Sequence, residues 1–66
     1  MNVTVNGEPR DLAEGTTILE FMSGLKLRRD AVAVEVNRRI VARARHGERQ
    51  LKEGDVVEIV TFVGGG

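Results

Sequence analysis

The sequence contains no cysteine, tryptophan or tyrosine, and Pro9 is its one proline. Without cysteine there is neither a disulfide framework nor a thiolate metal site. Secreted domains of this size ordinarily rely on such cross-links, so their absence points to the cytoplasm. Charge of either sign is not in excess, with ten Lys and Arg against ten Asp and Glu. A nucleic-acid binder carries a basic surplus that displaces counterions from phosphates; none is present, and that class is set aside. No apolar run approaches the ~20 residues of a membrane helix, and the N-terminus opens on a strand pattern rather than a leader. His46 has no second histidine with which to share a metal. No P-loop, dinucleotide-binding glycine pattern or nucleophile–base pair occurs. The core of a 66-residue chain supplies only about 3–5 kcal/mol, too little to enclose a deep catalytic pocket. The composition therefore argues against an enzyme: no catalytic residue, bound cofactor or metal is assigned.

What is present reads as one small domain over residues 1–63, followed by a flexible glycine tail at 64–66. Asn2 to Asn6 alternates polar and apolar residues, the period of a half-buried strand. Asn6-Gly7 then marks a tight hairpin, because both central residues of a type I′ turn need positive φ. Pro9 lacks an N–H and belongs on an edge, so the returning strand, Glu8 to Leu12, is the outer one. Thr17 and Glu20 form a capping box ahead of Ile18, Phe21, Met22 and Leu25, which share one helix face. The helix is expected to stop near Lys26. Val32, Val34 and Val36 define a third strand, Ile40-Val41 a short fourth, and Val56 to Val63 the last. Residues 42–49 read as loop with at most one helical turn. The locally basic stretch Arg38, Arg39, Arg43, Arg45, His46 and Arg49 reads as a solvated hairpin and loop, with a docking surface for an acidic partner as the alternative. Lys52 to Asp55 is a turn with Gly54 free to take positive φ.

The order is hairpin, helix, short hairpin, final strand: an α+β arrangement with one helix packed across one face of a small mixed sheet. The final strand, the most apolar segment, requires neighbours on both sides and is expected to pair with the first. Side chains alternate along it. A lone carboxylate is costly to bury, so the Glu58 face points to water and the Val57 and Ile59 face points inward. That leaves Val60 and Phe62 partly exposed just before the tail, with Phe62 folded onto the sheet edge as the alternative. Glu58, Val60 and Phe62 are thus the candidate docking residues.

Gly64-Gly65-Gly66 closes the sequence directly after an apolar strand. Glycine has no Cβ, so such a tail passes through channels too narrow for other residues. Val63 to Gly66 reach about 13 Å when extended. An α-carboxyl, with a pKa of about 3.3–3.7, is ionised at neutral pH and is a poor electrophile. It needs activation, for which an acyl-adenylate made from ATP by a partner is the natural route.

Taken together, several features resemble the ThiS family of sulfur carriers. They are the opening Val-Asn-Gly hairpin, Thr17 with its capped helix, Val34-Glu35-Val36-Asn37 with Ile40-Val41, the Leu51…Gly54-Asp55 turn and the terminal diglycine. The resemblance implies a ubiquitin-like β-grasp fold and a role in thiamine (thiazole) biosynthesis. It further implies that Gly66 is adenylated by an E1-like partner of the ThiF type, which uses ATP. The adenylate then becomes a thiocarboxylate with sulfur from a cysteine desulfurase, and the sulfur passes to thiazole synthase of the ThiG type. Gly64 and Gly65 would thread the tail, although Gly64 makes a triple glycine where the family needs two. His46 stands in a loop where the family often has an aromatic residue. Alternatives within and beyond the class are a carrier for molybdopterin synthesis or tRNA thiolation, and a ubiquitin-like interaction or modifier module.

Overall fold

A computed structural model describes residues 1–25 and 32–61, with Val32 and Thr61 as backbone only. Strand β1 (Asn2–Val5) turns through Asn6-Gly7 into β2 (Glu8–Asp11). Helix α1 spans Ile18–Leu25. Strands β3 (Val32–Val36) and β4 (Arg39–Val41) form the second hairpin, followed by a 3-10 turn at Arg43–Arg45 and by β5 (Val56–Thr61). The sheet order is β2-β1-β5-β3-β4. β5 is therefore central, parallel to β1 and antiparallel to β3. The expected pairing of first and last strands is present, and Pro9 lies on an outer strand.

Local chemistry accounts for the elements. Asn6 and Gly7 take φ of +49° and +82°, as the mirror-image turn demands. The second hairpin uses the same device with Asn37 and Arg38, at +52° and +70°. At the start of α1, the Glu20 N–H donates to Thr17 Oγ1 (3.1 Å) and the Thr17 N–H donates to Glu20 Oε1 (2.9 Å). Both halves of the capping box are made. Helix N-termini leave four N–H groups without intrahelical partners. Two more of these are satisfied from outside the helix, Ile18 N–H by Arg49 O and Leu19 N–H by His46 O, each at 3.0 Å.

The core lies between α1 and one sheet face. It comprises Val3, Val5, Val34, Val36, Val57 and Ile59 from the strands, Ile18, Phe21 and Met22 from the helix, and Leu51. Leu25 packs partly against it. Leu51 is a core position that pattern reading misses, because a single apolar residue between Gln50 and Lys52 has no period to announce it. His46 also departs from expectation. It is 3% exposed, not solvated, and its Nε2 lies 3.0 Å from Val41 O. The imidazole pins the loop against β4 while its own backbone caps the helix. The arginines around it, Arg38, Arg39, Arg43, Arg45 and Arg49, are exposed as expected.

Candidate functional site: the open sheet face and the exit of β5

Among the described residues, the helix covers one side of the sheet and the other side is left open. Along β5, Val57 and Ile59 are buried while Val56, Glu58 and Val60 face out. The exposed carboxylate therefore marks the outer face, as the sequence indicates. Val56 is 47% exposed and Val60 50%. The register adds residues that no single strand reveals. Glu35 on β3 lies directly opposite Glu58, and Ala33 opposite Val60. Ile40 on β4 lies opposite Glu35 and is 75% exposed. Opposed residues share a face, so Ile40, Glu35 and Glu58 form one row across three strands, with Ala33 and Val60 in the next.

Of the candidate site residues, Glu58 and Val60 are brought together on this surface. Phe62, Gly64, Gly65 and Gly66 lie outside the described residues. Glu35 and Ile40 are the members that sequence reading missed. Their alternation was legible, but their partnership with Glu58 depends on strand order and register, which local pattern does not encode.

β5 is held by side-chain amides as well as by its neighbours. The Asn6 side chain accepts from the Ile59 N–H (2.8 Å) and donates to Ile59 O (3.2 Å). It continues the bonding of β1 after the backbone has turned away. At the other end, Val56 N–H donates to Asn37 Oδ1 (3.0 Å), and Asn37 Nδ2 donates to Asp55 Oδ1 (3.0 Å). Asp55 is buried, and its second oxygen accepts the Lys52 N–H at 2.8 Å. Among the described residues no buried side-chain polar atom lacks a partner. The strand that runs toward the glycines is thus clamped at its start and again near its end. Among the described residues, no three His, Asp or Glu side chains converge as metal ligands. No helix among them is long and apolar enough to cross a membrane.

This architecture, with a helix across a five-stranded mixed sheet and the final strand at its centre, defines a ubiquitin-like β-grasp protein. The sequence profile of the ThiS family matches residues 3–66, and the chain belongs to that family. It is 39% identical over 64 residues to the sulfur carrier protein ThiS of Thermus thermophilus, covering 97% of this chain and 98% of that one. The crystal structure of the thiamine biosynthesis protein ThiS from Geobacter metallireducens superposes with a TM-score of 0.85 at 39% identity, covering all of both chains. A thiazole synthase of Magnetococcus marinus is 41% identical over all 66 residues, which make up 20% of that longer protein. The chain thus spans about a fifth of the length of this relative.

Proposed function

We propose that the chain is a sulfur carrier of thiamine biosynthesis, a protein cosubstrate rather than a catalyst, and that the α-carboxylate of Gly66 is its working group. One observation carries the reading: in a chain of the ThiS family, the strand leading to the glycines is the central strand of the sheet. A central strand is the most firmly held part of such a domain, which makes it a rigid base for a slim tail. The chemistry follows from the carboxylate. An ionised carboxylate resists nucleophiles, so one of its oxygens first attacks the α-phosphorus of ATP on a ThiF-type adenylyltransferase, and pyrophosphate leaves. A sulfur nucleophile, supplied through a cysteine desulfurase, then attacks the glycyl carbonyl and AMP departs. That nucleophile is a cysteine persulfide, so an acyl disulfide forms first. A second cysteine thiol then attacks the donor cysteine's sulfur, the two cysteine sulfurs become a disulfide, and a thiocarboxylate is left on Gly66. Gly64 and Gly65 thread the tail into each partner, while Glu58, Val60 and Phe62 belong to the docking face.

Thiazole synthase is the proposed acceptor. A protein of that name contains a segment similar to this entire chain. Joining donor and acceptor in one polypeptide raises their effective concentration, to the millimolar range for short linkers. This is a physical motive for such a fusion where the two must meet.

The decisive experiment incubates the chain with the adenylyltransferase, ATP and the sulfur source, followed by mass spectrometry. The expected product has one oxygen replaced by sulfur, located on Gly66. Deleting Gly66 shortens the reach by about 3.5 Å and is expected to abolish the change. Adding one residue beyond Gly66 is expected to abolish it as well. Full conversion of the elongated protein would show that the Gly66 carboxylate is not the working group.

A further inference from the structure

Glu35 and Glu58 stand directly opposite each other on β3 and β5. Side chains so placed have Cβ atoms about 4.5–5.5 Å apart, and like charges there are destabilising. Neither carboxylate has an ion-pair partner among the described residues, whose ion pairs are Met1–Asp11 and Arg10–Glu8. Around this pair lie the three large apolar side chains most exposed among the described residues, Ile40, Val56 and Val60. Ile40 extends the row of the two carboxylates, and Val56 and Val60 flank Glu58 along β5. The face is therefore an apolar frame around a doubled negative charge, carried by the strand that leads to the glycines.

We infer that this face docks a protein partner through a single basic side chain, an arginine for preference, seated between Glu35 and Glu58 within the apolar frame. The inference rests on the docking-face reading above and names the chemistry of its partner. Charge complementarity selects the occupant. Docking a neutral apolar surface here would strip water from two opposed carboxylates and leave both uncompensated. A guanidinium offers five N–H donors in a planar fork and can engage both carboxylates at once. It also tolerates the surrounding aliphatic groups, being weakly hydrated and flat. The frame excludes water from the contact and so strengthens it. Proximity to the exit of β5 means that this contact orients the tail as the partner is bound. The proposed occupant is thiazole synthase, for the reason already given.

The test titrates thiazole synthase with the wild-type chain, with the Glu35→Gln/Glu58→Gln double variant and with Val60→Ala, each at several salt concentrations. Glutamine keeps the shape and removes the charge. The double variant is expected to bind about 30-fold or more weakly, with a shallower salt dependence. It is also expected to melt at or above the wild-type temperature, because the opposed charges are gone. Loss of affinity together with unchanged or raised stability is a result that a structural role for the pair would not produce. Equal affinity of the double variant and wild type at every salt concentration overturns the inference. If Val60→Ala then still weakens binding, the docking face stands and only the basic anchor falls. If neither variant changes binding, or wild type does not bind, both fall.

Discussion

Asn6 sits in the left-handed region at φ +49° while its amide closes two hydrogen bonds to the Ile59 backbone. An asparagine tolerates that backbone better than most residues, because its short side chain bonds locally. Glycine at this position would keep the turn and lose only the amide. Asn6→Gly is therefore expected to lower stability by about 1–3 kcal/mol, the cost of leaving partly buried backbone groups without partners. Urea denaturation measures this loss. A value near zero would mean that water replaces the amide without penalty. His46 presents a related case. Truncation to alanine removes a buried ring and the contact to Val41 O, and is expected to cost about 2–4 kcal/mol, in the range of large-to-small core changes. The sequence makes neither cost obvious, since asparagine in a turn and histidine in a polar loop both read as surface residues.

Within single elements, the capping box of α1 is the feature with the clearest local signature. Thr17 and Glu20 bond reciprocally, and α1 is only eight residues long. Short helices are marginal by themselves, so the cap and the buried face together hold this one. Thr17→Ala is expected to cost about 0.5–2 kcal/mol. Combined with Glu20→Ala, the loss should be less than the sum of the two single losses, because each residue supports the other. A thermal-melt double-mutant cycle checks this. Strict additivity would mean that the loop carbonyls of His46 and Arg49, not the box, carry the helix start. That loop contribution was invisible in the sequence: a carbonyl is present at every residue, and only the folded path of residues 42–51 brings these two to the helix.

For the whole molecule, β5 joins fold and proposed function, because its two faces have different duties. Ile59 is in the core, while Val60, its neighbour, is half exposed on the open face. Ile59→Ala is expected to cost about 2–5 kcal/mol, comparable with the whole stability of so small a domain, and so to unfold much of the population. Val60→Ala should shift the melting point by little and act on partner binding instead. Equilibrium denaturation of the two variants side by side separates the faces. Near-wild-type stability of Ile59→Ala would reverse the assignment of inside and outside.

The sequence by itself determined the elements. Alternation in Val3/Val5, Val34/Val36 and Val57/Ile59, the Asn-Gly turn, the capping box and the position of Glu58 each act over a few residues, and each survived into the fold. These are short-range effects of sterics, hydrogen bonding and burial, so a local reading suffices for them. Tertiary structure alone decided which residues of different elements meet. The Glu35–Glu58 opposition, the exposure of Ile40 beside it, the burial of Leu51 and His46, and the Asn6 clamp on Ile59 join positions 5 to 53 residues apart in the chain. The physical reason is register. Side chains on a strand repeat every two residues, so the pattern specifies which face each one takes. Its partner across the sheet is set only when strand order, turn geometry and the packing of the helix are satisfied together.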